Sequence, residues 1–403
     1  MARHYSTKKF FRQSPNALLA RYFTRHKVLR DFDFTKLKEG NPDPLFAAWL
    51  KLPAEKRNPM DAQFQEIFAM SCEAGTKAII DEARYWTVTV EGEPIDPFID
   101  WISSLKNHYE RAFQTFLKHP KFWKGATSFY YADTLSRWQK RKGLPKVAAH
   151  CDSASLKDLS DKIVHYFHYT EGKGTNCVVE PFRRNDLDYF FAYPEDYSQR
   201  GIEWVRGEFK PRPHTPAFEV IFVYSEADGT LDINYRGDKK AMEPLQSFFC
   251  ESILKLDELP PDPKDKRVYD LNPLRQRDFA FRIEPGSGVQ DVRITKLRLS
   301  SCLRQGDRIS LEANTTTDRS AIYELMDQVA RGLPLRYYNV TRVDFAAEVI
   351  VDADKPAKNV PFHVTDPNSC SLKYDDTGRL LREMLKRSGI EPKEPDPDEG
   401  DAE

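Results

Sequence analysis

Three sets of residues in this 403-residue chain have types and spacings that could do chemistry. The first is Glu208-Phe209-Lys210, with Asp188 or Asp196 upstream. A metal-dependent nuclease of the restriction-endonuclease type needs one acidic residue and then Glu-x-Lys on the next strand. Two carboxylates then hold a divalent ion and the lysine polarises the attacking water. Here the surrounding GEFKPRPHTP reads as loop rather than buried strand, which weakens that assignment. The second set is His165 and His168, three apart on one helix face, with Cys177 nearby as a thiolate for zinc. No fourth ligand is evident, and a His-x-x-His pair on an amphipathic helix is ordinarily packing or solvent contact.

The third set is cationic. Residues 1–38 carry ten Lys and Arg against two Asp, and Arg12, Arg21, Arg25 and Lys27 are placed to meet phosphates. The segment RWQKRKGLPK adds Arg137, Lys140, Arg141 and Lys142, with Trp138 able to stack on bases. Each cluster also has a plain structural reading. The first would be the wet side of an amphipathic helix, and the second the basic last turn of a helix stopped by Gly143 and Pro145.

The common catalytic signatures are absent. The chain has no GxxxxGK[ST], no GxGxxG after a strand, no GxSxG elbow and no HExxH. Six dispersed cysteines without a CxxC pair read as reduced thiols of a cytoplasmic protein. No apolar run reaches the roughly 20 residues of a membrane span. The N-terminal segment is basic without an apolar stretch behind it, which argues against a secretory signal.

The elements that must position these residues predict an α+β protein. A mostly helical N-terminal domain is followed by mixed or antiparallel sheet regions with covering helices. The expected boundaries are a basic helical domain over 1–146, an α+β domain over 150–256, a proline- and charge-rich linker over 257–276, a second α+β domain over 277–389, and an acidic disordered tail over 390–403. In the first domain Ser14-Pro15 should start a helix with Leu18, Leu19, Tyr22 and Phe23 inward. Gly75 should divide two helices, WTVTV at 86–90 should be a short strand, 95–117 one helix and 122–138 another. Ser153 or Ser155 should cap a helix through His168.

Phe218 to Leu256 should give a fully covered strand, an Asp228-Gly229 turn, a second strand with one wet face, and a helix. Residues 195–216 should be a surface loop. Farther on, a slip in apolar phase at Thr295-Lys296 predicts a bulge, and 291–332 repeats the strand, strand, helix order of 218–256 without matching residues. A last helix should span 375–388.

Charge is uneven. Residues 1–150 hold 25 basic and 16 acidic residues, and the rest 36 and 46. With 40% hydrophobic and 12% aromatic residues the chain can build cores and large contact surfaces. The sequence therefore reads as a non-enzymatic interaction or adaptor subunit of a larger assembly, with protein partners, no cofactor, and contact to nucleic acid through its basic N-terminal domain. The competing class is the divalent-metal nuclease. A microbial antiviral system is one setting for either, though no residue argues for it.

Overall fold

Alternation of apolar and polar residues explains most of the sheet. In a computed structural model, which describes residues 4–205, 208–261, 267–350 and 356–391, the chain is α+β. Contacts divide it into two compact units, Met1–Thr134 and Leu135–Glu403.

The first unit is helical: α1 (Thr7–Gln13), α2 (Asn16–Arg25), α3 (Asp43–Leu50), α4 (Ala54–Met70), α5 (Glu73–Arg84), α6 (Asp96–Ser104), α7 (His108–Lys118) and α8 (Pro120–Ala132). Leu18, Leu19, Tyr22 and Phe23 are buried, as their spacing requires. Phe64 on α4 is the hub of the core. Its ring lies 4.9 Å from Phe10, 5.5 Å from Phe11, 4.7 Å from Tyr22 and 5.6 Å from Trp49. Deleting so enclosed a ring typically costs about 3–5 kcal/mol.

Four local expectations fail here for identifiable reasons. Ser14 is buried at the end of α1, and α2 starts after Pro15 with no side-chain cap. The residues Tyr85–Val90 continue α5 as a π-helical turn instead of a strand; β-branched composition there is outweighed by the helix already running into it. Residues 95–117 break into α6 and α7, because the Asn107 side chain accepts from the Glu110 backbone N–H and starts a new helix. Helix α8 ends at Ala132, so Trp138 lies outside it. The division near Gly75 is present, with Cys72 capping α5.

The second unit is built on one sheet. Its elements are β1 (Trp138–Arg141), α9 (Ser153–Glu171), β2 (Val179–Arg184), β3 (Leu187–Ala192), β4 (Gln199–Val205), β5 (Glu208–His214), β6 (Val220–Ser225), β7 (Thr230–Tyr235), α10 (Met242–Ser252), β8 (Val289–Ser301), β9 (Arg308–Glu312), α11 (Ala321–Ala330), β10 (Tyr338–Val349), β11 (Lys358–Thr365), β12 (Ser369–Cys370) and α12 (Asp376–Arg387). Ten strands pair in the order β2-β3-β6-β7-β1-β12-β11-β10-β8-β9, all antiparallel. Strands β4 and β5 form a separate hairpin.

The two halves of the sheet are covered on opposite faces. Leu159, Ile163 and Phe167 of α9, with Leu245 and Phe249 of α10, pack on Phe190, Phe222, Leu231 and Ile233. Ile322 of α11, Leu381 and Leu385 of α12, and Val268 to Leu274 pack on Leu297, Val343, Phe345, Phe362 and Cys370. Register connects the two. Gln139 is paired with Ile233 and so faces α10, whereas Trp138 is paired with Cys370 and faces α12. The bulge falls at Thr295, where Asp344 opposes Lys296 and Phe345 opposes Ile294.

Further expectations are corrected in this unit. Residues 195–216 contain β4 and β5, so they are not a structureless loop. Pro211 and Pro213 sit two apart on a strand with only one partner, so both missing N–H groups point away from β4. Strand β7 has no wet face: Asp232 and Asn234 are buried. Asp152, not a serine, caps α9, and Ser155 donates to it. Residues 267–276 are no solvated linker, since Val268, Tyr269, Leu271 and Leu274 are core and the N–H groups of Val268 and Tyr269 donate to Pro367 O. Residues 262–266 lie outside the described residues. Ile390 is core and Glu391 is a buried ion-pair partner, so order reaches beyond Gly389; 392–403 lie outside the described residues.

Candidate functional site

Because α9 and α10 cover only the first half of the sheet, the same side of the second half presents its polar residues. Val292, Ile294, Leu297, Val343, Phe345, Phe362 and Val364 point to the opposite core. Between them Arg293, Lys296, Arg298, Arg342, Asp344 and His363 point outward, and none of these is buried. Strand pairing sets them in rows. One row runs Ser310, Arg298, Arg342, Thr365; the next runs Glu312, Lys296, Asp344, His363. Arg308 stands opposite Ser300.

The second row is balanced, with Lys296 Nζ 2.9 Å from Glu312 Oε2. The first row is not. Arg298 and Arg342 are direct cross-strand partners, an arrangement that works against folding. Arg342 is relieved by Asp344, Nε to Oδ1 at 2.7 Å and Nη2 to Oδ2 at 3.2 Å. Among the described residues Arg298 donates only to Thr341, through Nε to Oγ1 and Nη2 to the carbonyl oxygen, both at 3.3 Å. Burial first, and then Arg308 and Arg342 beside it, lower the Arg298 pKa. The imidazole of His363 is likewise pushed down by burial and by Arg342, with Asp344 opposing and Arg137 and Arg298 adding to the effect. Four arginines therefore bear on one area. Among the described residues Arg137, Arg298 and Arg308 have no carboxylate partner, while Ser300 and Thr341 supply hydroxyls joined at 2.7 Å.

Such a surface can hold successive phosphates: guanidinium forks bind phosphate oxygens and hydroxyls complete the set. Sequence reasoning named only Arg137 from it. The signal was present in RITKLRLS and YNVTRVDF as basic residues on the polar phase of two strands, but their adjacency depends on register.

The other sequence candidates are placed as follows. Arg12, Arg21, Arg25 and Lys27 are exposed on or just after α1 and α2 in the first unit. Lys140 and Arg141 are buried in the central strand β1, which removes them from any surface. Arg141 donates to Gln246 Oε1 and Pro260 O. Lys140 bonds Glu391 at 2.8 Å, and Lys142 is half-buried. Asp188 is buried on β3 with Arg183 Nη1 at 3.2 Å from its Oδ1, and burial raises its pKa against that pairing. Glu208 and Lys210 pair with each other on the exposed strand β5 of the other sheet, away from any buried strand, and Asp196 lies within 4.0 Å of Lys173. His165 and His168 are exposed and each packs against Tyr169, at 4.6 and 5.1 Å. Burial pushes the Cys177 thiol up to about 11, the reverse of what a thiolate ligand needs. Among the described residues no group of three or more His, Cys, Asp and Glu could hold a metal ion, and no helix is long and apolar enough to cross a membrane.

No protein-family model matches the chain, and no curated protein matches it either.

Proposed function

We propose that this chain is a binding subunit that contacts nucleic acid, with the bare basic sheet face of its second unit as the contact surface. The observation that carries this reading is the set of Arg137, Arg298 and Arg308, cations without carboxylate partners among the described residues, gathered beside Arg342 on one face. A protein that stacks like charges across a ladder loses stability unless an anion offsets the repulsion. Phosphates spaced along a strand offer that anion, and the exposed cations of α1 and α2 supply a second patch of the same sign.

Anisotropy titration of labelled single-stranded and duplex oligonucleotides checks it. Four phosphate contacts predict that affinity falls roughly 100-fold between 50 and 200 mM salt. Replacing Arg298 and Arg308 together by alanine should lower the slope of log K against log salt by about 2. Absence of binding at 50 mM salt, or an unchanged slope in the double variant, would refute the reading. Cleavage of plasmid in Mg²⁺ or Mn²⁺ that disappears in Lys210→Ala would establish the nuclease class in its place.

A second reading, contact with a protein partner, rests on the β4–β5 hairpin. Ile202, Trp204 and Phe209 are 65%, 74% and 61% exposed, and the Trp204 and Phe209 rings meet at 5.4 Å. A two-stranded hairpin is marginal alone in water, and bare aromatic residues on it gain from being covered. Native purification of the Trp204→Ala, Phe209→Ala chain should lose a protein that co-purifies with the unaltered one; retention of the same partners speaks against this surface.

A further inference from the structure

The ten-stranded sheet ends in β2 on one side and β9 on the other, and the two edges differ. Main-chain direction alternates along each. In β9, Asp307 O accepts from Ser301 N–H and Ala313 N–H donates to Thr295 O, so positions 307, 309, 311 and 313 turn their main-chain groups to β8. The N–H and C=O groups of Arg308, Ser310 and Glu312 therefore face away from it. Among the described residues no strand pairs with that side and no main-chain bond reaches it. In β2, Val178 O accepts from Tyr193 N–H, so positions 179, 181 and 183 face outward. Pro181 stands in the middle of that outward set with no N–H to offer, which blunts the edge. Strand β9, RISLE, has neither a proline nor a break in its register with β8.

The side chains of β9 suit one partner in particular. Arg308, Ser310 and Glu312 are exposed on the cationic face, a positive residue at one end and a negative residue at the other. Ile309 and Leu311 turn to the opposite, core side. Run antiparallel, such a strand is complementary to itself. Pairing centred on Ser310 sets Arg308 opposite Glu312 of the second copy, Glu312 opposite Arg308 of that copy, and Ser310 opposite its own counterpart. All three positions then form the hydrogen-bonded kind of pair, about six main-chain bonds in total. A register two residues to either side sets Ser310 against Glu312 or Arg308 and loses both charge pairs.

We propose that the free edge of β9 joins the same edge of a second copy of this chain, antiparallel about a two-fold axis at Ser310, so that two sheets become one. The contact is isologous and uses up the β9 edge of both copies, and Pro181 blunts the other end of the sheet, so assembly stops at the dimer. The inference stands independently of nucleic-acid contact but bears on it. Ser310 lies in one row with Arg298 and Arg342, so that row continues across the axis into the second copy. Three strand spacings, about 14 Å, separate the two Arg298 positions. Glu312 remains shared with Lys296, so the face keeps its cationic excess.

Sedimentation equilibrium of the full chain tests the pairing. So small an interface predicts a dissociation constant of about 1–100 μM. Across that range the chain should distribute between monomer and dimer with no larger species. Ser310→Pro removes an outward N–H that bonds nothing within the described chain. Arg308→Glu sets like charges opposite each other. Each should weaken association roughly tenfold or more, with thermal unfolding of dilute protein unchanged. Combining Arg308→Glu with Glu312→Arg reverses both charges and should restore the dimer. A monomer throughout the range, a dimer that survives Ser310→Pro or Arg308→Glu, or a charge-reversed chain that associates no better than Arg308→Glu alone would overturn the assignment.

Discussion

At the scale of single residues the most consequential group outside the sites is Glu82. Its side chain is buried in α5; Trp86 Nε1 donates to Oε1 at 2.9 Å, while Oε2 has no hydrogen-bond partner among the described residues. Burial raises its pKa from 4.5 to about 7, and the Trp86 bond only partly opposes this. The folded state thus holds a proton that the unfolded chain releases near pH 4.5. Stability from this group falls as pH rises from 4.5 to 7, and the full deficit, about 3 kcal/mol, is present above pH 7. Glu82→Gln should remove that slope: denaturant midpoints of variant and parent should agree near pH 4.5 and separate at pH 8 with the variant higher. Parallel profiles would mean that Glu82 is solvated. Nothing in DEARYW marks Glu82 as buried, because a carboxylate at an inward helical position looks like any polar residue until α8 closes over it, with Gly125 the point of approach. Lys140 and Arg141 were obscured for a related reason. WQKR has no apolar alternation, and its strand exists because β7 and β12, distant in sequence, both pair with it.

At the scale of elements, what could be read depended on whether the signal was local. The Asp228-Gly229 turn, the Thr295 bulge and the helix from Asp376, capped by Asp375, are set by neighbours in sequence and were legible. The β4–β5 hairpin was not, because its prolines suggest a loop until they are seen on an outer edge. Gly229 shows how tightly a local turn is built into the whole. It has φ +62°, its carbonyl accepts from Leu144 N at 3.0 Å, and an added Cβ would sit 2.3 Å from Leu144 O. Gly229→Ala should therefore cost about 2 kcal/mol or more, backbone strain plus displacement of the segment after β1. Gly286 provides the comparison, with φ +78° and nothing within 4 Å of an added Cβ. Gly286→Ala should show the strain alone, so equal losses for the two would mean that the Leu144 contact yields freely.

At the scale of the whole molecule the sequence suggested α+β domains on either side of residues 257–276, whereas strands from both sides lie in one sheet. The charge contrast also softens when counted by unit. Met1–Thr134 holds 20 basic and 16 acidic residues and the remainder 41 and 46, since Arg137 to Lys146 belong to the sheet unit. The join is made by short strands. Strand β1 pairs with β7 on one side and β12 on the other, and Val268 to Leu274 fill the core under β10 and β11. A chain cut at residue 261 leaves β1 with a bare edge in one fragment and β12 with a bare edge in the other, each flanked by apolar residues. A cut after Thr134 severs no strand pair. Expressed separately, 1–134 and 135–403 should each unfold cooperatively in denaturant, whereas 135–261 should aggregate or lack a cooperative transition. Cooperative unfolding of 135–261 on its own would show that the sheet is two domains abutting at β1 and β12, and that the boundary inferred from proline and charge was the physical one.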